Sequence, residues 1–143
     1  MIYGIIQQLK AKWGNNIMTR SELIEYCLTF SNVYEDYPFD DVIDESAWAA
    51  MRHKSNKKCF AFITNLNGRL CANLKCDPLE ADLLRAAFTD VIAGYHMNKS
   101  HWNTVYINGD VPESELYRMI ENSYDLIKPK RKLKKQCEPE SIS

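Results

Sequence analysis

The dipeptide Asn67-Gly68 lies between two apolar runs and constrains the fold more than any other sequence feature. An Asn-Gly pair with alternating residues on both sides is typical of a two-residue β-hairpin turn. It predicts strands over residues 57–64 and 69–75, with Leu66 opposite Arg69. A shift of one residue would bury Lys75, so the register is well specified. The core-facing set is Ala61, Ile63, Leu70, Ala72 and Leu74, and the outward set is Lys58, Phe60, Phe62, Asn73 and Lys75.

A third strand is predicted just before this hairpin, over residues 47–54. A turn of three loop residues, 55–57, places Met51 opposite Ala61 in the core and sends Arg52 and Lys54 outward. A two-residue turn would instead bury Arg52, which is costly when the charge has no partner. The sequence therefore favours the three-residue turn and a sheet with at least three antiparallel strands.

Signals for the start of a helix occur on both sides of these strands. Thr19 and Glu22 form a capping box, and Asp77-Pro78 combines an N-cap residue with proline at the first helical position. A last helix starts at Pro112, and residues 102–107 alternate in the manner of another strand. This order predicts an α+β fold, with an antiparallel sheet and helices packed on one face.

The length of 143 residues predicts a single domain. An apolar stripe over residues 2–13 predicts an amphipathic helix within an N-terminal extension, residues 1–17. That helix either packs on its own core or mediates self-association. The core is expected over residues 18–128, followed by a basic, disordered tail over residues 129–143.

The composition indicates a cytoplasmic protein. No apolar run approaches the roughly 18 residues that span a bilayer, and the short apolar start lacks the features of a signal peptide. The five cysteines form no C-x-x-C pair, which favours reduced thiols over disulfides or a zinc site.

The net charge of −1 conceals blocks of like charge. Residues 46–76 hold six bases and no acid, and residues 128–135 hold six more bases. Basic side chains neutralise phosphates, and aromatic side chains stack on bases. The candidate DNA-binding residues are Arg52, Lys54, Lys58, Phe60, Phe62, Arg69, Lys75, Lys99, His101 and Trp102. Alternatively, the N-terminal helix or a second subunit covers Phe60 and Phe62.

Other chemistries have weaker support in the sequence. His96 and His101 need a third ligand, such as His53 or Asp110, to bind a metal ion. The acidic run over residues 35–41 lacks the spacing of a calcium-binding loop. No glycine-rich nucleotide-binding loop occurs. The sequence therefore predicts no catalytic residues, no cofactor and no metal, and a protein that is not an enzyme.

Several short motifs together resemble the MmcQ/YjbR family of small bacterial proteins. They are Tyr37-Pro38-Phe39, Lys58-Cys59-Phe60-Ala61, Leu74-Lys75-Cys76-Asp77-Pro78, Gly94-Tyr95-His96-Met97-Asn98-Lys99, His101-Trp102 and Ser123-Tyr124. The resemblance implies a CyaY-like fold. It also implies DNA binding, because that fold resembles a double-wing DNA-binding domain.

The expected function is therefore DNA binding through the basic and aromatic sheet face and the basic tail, with duplex DNA as the partner. One alternative is a protein–protein interaction module that uses the aromatic face or the first helix. A third is a small-ligand binder or enzyme built around His96, His101 and Trp102.

Overall fold

The computed structural model describes residues 17–44 and 46–129. Its helices are α1 (Arg20–Leu28), α2 (Pro78–Ala87) and α3 (Glu113–Ile127). Its strands are β1 (Val33–Asp36), β2 (Ala49–His53), β3 (Cys59–Leu66), β4 (Arg69–Lys75), β5 (Val91–Ala93) and β6 (Trp102–Tyr106). The expected helix over residues 2–13 and the tail beyond residue 129 lie outside the described residues.

The strands form one antiparallel sheet in the order β1-β2-β3-β4-β6-β5. All three helices pack on the same face, where Met51, Ala61, Ile63 and Leu74 contribute to the buried core. This confirms the predicted α+β class. Strands β1 and β5 were not predicted, since each is only three or four residues long.

The hairpin register is the predicted one over most of its length. Leu66 pairs with Arg69, Ile63 with Ala72, and Ala61 with Leu74. Asn67 and Gly68 have φ angles of 55° and 75°, the left-handed values that a two-residue hairpin turn requires. Met51 also lies opposite Ala61, as the three-residue turn predicts.

The predicted helix starts are also present. The Thr19 hydroxyl accepts a hydrogen bond from the Glu22 amide, and the Glu22 carboxylate accepts one from the Thr19 amide. At α2, the Asp77 carboxylate accepts from the Leu79 amide, and Pro78 is the first helical residue. Local capping therefore fixes where both helices begin.

Phe60 is the main exception to the predicted hairpin. Met51 pairs with Ala61 but Arg52 pairs with Cys59, so a β-bulge leaves Phe60 without a partner on β2. Its side chain is fully buried, and its ring lies 5.9 Å from Phe30 and 5.3 Å from Tyr124. The prediction that Phe60 faces outward is wrong, because the extra residue of the bulge interrupts the alternation of side chains.

The buried Ser123 hydroxyl bridges β3 and β4 at this point. It donates to the carbonyl of Phe60 at 2.6 Å and accepts from the amide of Lys75 at 2.9 Å. In the register of this hairpin those two backbone groups would otherwise face each other. A side chain from α3 therefore replaces a direct link between the two strands.

No helix in the described ranges is long and apolar enough to cross a bilayer. The four cysteines within those ranges are free thiols. Burial raises the pKa of Cys59 and Cys71 to about 12 and that of Cys76 to about 11. These thiols therefore remain protonated near neutral pH, whereas a cysteine nucleophile acts as the thiolate.

Candidate nucleic-acid interface

All six lysines of the described residues lie at one end of the sheet, which we call the lysine end. The antiparallel order brings together the ends of β2 and β4 and the starts of β3 and β6. The β5–β6 loop and the C-terminus of α3 reach the same end, since the Asn56 amide donates to the carbonyl of Ile127 at 3.0 Å. The lysines are Lys54, Lys57, Lys58, Lys75, Lys99 and Lys128.

The β2–β3 turn presents three of these lysines to solvent. The Lys57 amide donates to the carbonyl of His53 at 2.8 Å, and the Lys58 amide donates to the Asn56 side chain at 3.0 Å. Arg52 donates to the carbonyl of Lys57 at 2.9 Å. Lys54, Lys57 and Lys58 are exposed, so a fixed turn carries three charges that point into water.

Few carboxylates neutralise the lysine end. Asp125 pairs with Lys128 at 3.2 Å, and the described part of the chain contains no ion pair to the other five lysines. The Asp77 carboxylate is directed to the N-terminus of α2. This end of the sheet therefore has a net positive charge, although the whole chain does not.

The opposite end of the sheet, the aspartate end, is acidic. Its loops carry Asp40, Asp41, Asp44, Asp90 and Asp110, and Asp36 ends β1. Arg69 lies here, paired with Asp90 at 3.0 Å, and this hydrogen bond lowers the pKa of Asp90. Arg69 and Lys75 are thus at opposite ends of β4, although the sequence grouped them in one basic face.

The sheet face opposite the helices carries an aromatic surface formed by Phe39, Trp48, Phe62, Tyr95 and Trp102. The ring centroids of Phe39, Trp48 and Phe62 lie 6.0 to 6.3 Å apart. Trp48 stacks on Tyr95 at 6.4 Å, and Phe62 lies 6.1 Å from Trp102. A pocket of about 370 Å³ opens here, lined by Phe39, Asp40, Trp48, Phe62, His96 and Met97.

A buried polar network fixes the aromatic surface to the sheet. The Asn73 side-chain amide donates to the carbonyl of Phe62 at 3.3 Å, and the Thr104 hydroxyl donates to the Asn73 oxygen. The same hydroxyl accepts from the amide of Tyr95 at 2.9 Å. Asn73 lies on the predicted face but beneath this surface, and it is fully buried.

The loop over residues 94–101 is closely attached to the start of β6. A Cβ atom on Gly94 would lie 2.8 Å from the Cβ of Trp102, so only glycine fits there. The Gly94 amide donates to the carbonyl of Trp102 at 2.9 Å, and the Lys99 ammonium donates to the carbonyl of Gly94 at 3.0 Å. In the motif Gly94-Tyr95-His96-Met97-Asn98-Lys99, the first and last residues therefore hold the loop against β6.

The three histidines do not form a metal site. His53 is buried and its Nε2 donates to the carbonyl of Tyr124 at 3.0 Å, whereas His96 lies against the Tyr95 ring at 4.1 Å. Within the described ranges no group of three His, Cys, Asp or Glu side chains is placed to hold a metal ion. Burial lowers the pKa of His53.

The structure separates the predicted DNA-binding residues into five groups. Arg52 is held by Asp36 at 2.9 Å, Arg69 lies at the aspartate end, and Phe60 is in the core. Phe62 belongs to the aromatic surface. The others lie together at the lysine end: Lys54, Lys58, Lys75, Lys99, His101 and Trp102, of which Trp102 also belongs to the aromatic surface.

Sequence reasoning missed Phe39, Trp48 and Tyr95 as surface residues. Phe39 and Trp48 come from the loop between β1 and β2, where the Asp40 carboxylate accepts from the Trp48 amide at 2.9 Å. Tyr95 comes from the β5–β6 loop. No periodic pattern links two loops, so only the fold brings these rings together.

A family model described as YjbR matches residues 28–126. The chain belongs to the YjbR family. It is 35% identical to the uncharacterised protein YjbR of Escherichia coli (strain K12), and the match covers 81% of this chain and 97% of that protein. It is 32% identical to the uncharacterised protein YyaQ of Bacillus subtilis (strain 168), over 78% of this chain and 100% of that protein. The resemblance read from the motifs is confirmed.

Two solved structures share the fold of this chain. A crystal structure of a Pseudomonas syringae protein matches with a TM-score of 0.68 and 30% identity, over 78% of this chain and all of that one. A crystal structure from Deinococcus radiodurans, described as a DUF419 domain, matches with a TM-score of 0.68 and 29% identity. That match covers 89% of this chain and 91% of the other.

Proposed function

We propose that this YjbR-family chain binds DNA through its lysine end. The observation that carries the proposal is the collection of all six lysines of the described residues at one end of the sheet. Phosphate groups are the natural ligand for such a cluster, because each lysine contact releases condensed counterions from the DNA. The exposed turn with Lys54, Lys57 and Lys58 is the part most accessible to a DNA backbone.

The sequence that follows the described residues is also basic. The C-terminus of α3 lies at the lysine end, and Lys128 and Pro129 follow it. The next six residues include five bases: Lys130, Arg131, Lys132, Lys134 and Lys135. Basic side chains in such a segment can contact phosphates without sequence preference.

The proposal is tested by titrating a fluorescent duplex with the full chain at several salt concentrations. Lys54→Ala and Lys58→Ala each remove one exposed charge from the turn. Each change should weaken binding about equally for different duplex sequences. Each should also reduce the slope of log affinity against log salt by about one unit, as expected for one lost phosphate contact.

Arg69→Gln is the matched control, because it removes one positive charge from the aspartate end of the same sheet. It should leave the slope unchanged. An equal effect of the Arg69 and Lys54 changes would show that affinity follows net charge rather than the lysine end. No detectable binding of either the duplex or its separated single strands by the wild-type chain at low salt would refute DNA binding.

A further inference from the structure

The aromatic surface is separate from the hydrophobic core. The core lies between the sheet and the three helices, whereas these rings lie on the opposite face. Phe39 is 67% exposed and Tyr95 is 44% exposed. A cluster of exposed rings on a folded protein usually marks a binding site.

This surface is held in place before any ligand arrives. Asp40 fixes the backbone at Trp48, and Thr104 fixes the backbone at Tyr95. The close approach of Gly94 to Trp102 leaves the second loop little freedom. A ligand that docks here therefore loses little free energy to the ordering of loops.

The aromatic surface is continuous with the lysine end. The Lys75 ammonium lies 5.8 Å from the centroid of the Trp102 ring. Trp102 is 6.1 Å from Phe62, and Phe62 is 6.0 Å from Phe39 beside the pocket. A path of rings thus leads from the phosphate-binding lysines into the pocket.

We infer that the aromatic surface binds unpaired bases, so that the chain takes single-stranded DNA in preference to a duplex; this rests on the proposed function. Aromatic rings stack on exposed base faces, whereas in a duplex each face is covered by its neighbour. The pocket lining also contains Asp40, whose carboxylate can accept hydrogen bonds from the amino group of a base.

The distribution of charge determines on which side of the aromatic surface the phosphate backbone of the bound DNA lies. Phosphates are attracted to the lysine end and repelled by the aspartates beyond the pocket, among them Asp41 and Asp44. The backbone therefore lies on the lysine side while a base reaches across Trp102 and Phe62 toward the pocket. Because this geometry accommodates only a few nucleotides, a short strand suffices for full affinity.

The experiment compares a labelled single strand of about 15 nucleotides, within the site sizes of such proteins, with its duplex of the same length. Binding is measured by fluorescence anisotropy for the full chain, Phe39→Ala and Leu79→Ala. Phe39 is mostly exposed, so its removal leaves the fold intact. Leu79 is the control, since it is 69% exposed but lies on α2, across the sheet.

Wild type should bind the single strand more tightly than the duplex. Phe39→Ala should weaken single-strand binding by about fivefold or more, the loss expected for one stacked base, with an unchanged salt slope. It should leave duplex binding unchanged, and Leu79→Ala should change neither affinity.

Two outcomes would overturn the inference while the proposed function stands. One is a Phe39→Ala variant that binds the single strand like wild type while Lys54→Ala still weakens binding, which would show that no base stacks on this ring. The other is a Phe39→Ala variant whose affinity for the single strand and affinity for the duplex fall by the same factor. Failure of wild type to bind either DNA at low salt would overturn both proposals.

Discussion

Replacement of Ser123 by alanine tests the unusual junction between β3 and β4. The hydroxyl is fully buried and serves two backbone groups, the carbonyl of Phe60 at 2.6 Å and the amide of Lys75 at 2.9 Å. Alanine is smaller by one oxygen and creates no clash. The substitution therefore removes two hydrogen bonds and leaves one donor and one acceptor without a partner.

The expected cost follows from those two groups. Each backbone group buried without a partner costs about 1–3 kcal/mol, so Ser123→Ala, which leaves two such groups, should lower the free energy of unfolding by about 2–6 kcal/mol. With a urea m-value of roughly 2 kcal/mol/M, the midpoint should fall by about 1–3 M. Circular dichroism during urea titration measures this shift.

Ser114→Ala is the matched control on the same helix. Ser114 is exposed near the start of α3, so the same chemical change should alter stability by less than about 0.5 kcal/mol. A loss below about 1 kcal/mol for Ser123→Ala, with an unchanged m-value, would refute the reasoning. It would mean that β3 and β4 close and bond directly once the hydroxyl is removed.

Two further predictions concern Gly94, at the start of the β5–β6 loop, and the buried His53. Gly94→Ala should destabilise the chain by about 1–3 kcal/mol, as overpacking does, because its Cβ would lie 2.8 Å from that of Trp102; a urea midpoint equal to wild type would contradict this. Stability should fall as the pH drops below 6.5, because burial lowers the pKa of His53, so the unfolded chain takes up the proton more readily. Urea titrations at a pH above 6.5 and at a pH below it measure this fall in stability, and it should be absent in His53→Gln. If the variant loses stability over the same pH range, other groups cause the fall.

The sequence was most informative where local rules determine the structure. The Asn67-Gly68 turn and the alternation of side chains fixed the pairing of Ala61 with Leu74 before any tertiary contact was known. The capping box at Thr19 likewise involves residues only three positions apart. Such features depend on a few adjacent residues, and a single sequence displays them directly.

The prediction failed where residues distant in sequence decide the outcome. Phe60 faces the helices because it lies at a β-bulge, and its carbonyl accepts a hydrogen bond from Ser123, 63 positions away. The aromatic surface was only partly foreseen, since Phe62 and Trp102 were candidates but their neighbours Phe39 and Tyr95 come from two loops. Neither feature leaves a periodic signal.

The prediction of one basic face was also limited by contacts between residues distant in sequence. Alternation along a strand assigned Arg69 and Lys75 to one face, but it could not show which other charges lie near each end. The order of the six strands decides that, since it places Lys54 and Lys99 at the same end of the sheet as Lys75 and places Asp90 at the end with Arg69. The grouping of charges at the two ends is therefore a property of the sheet topology.

The separation of charge explains how a chain with a net charge of −1 can attract a polyanion. Arg69 and Lys75 are six residues apart on β4, so the two ends of the sheet are separated by about 20 Å. The screening length at physiological salt is about 8 Å, so the aspartates contribute little to the field at the lysine end. A phosphate near Lys58 therefore responds to the local cluster of lysines, and the near-neutral sum does not argue against DNA binding.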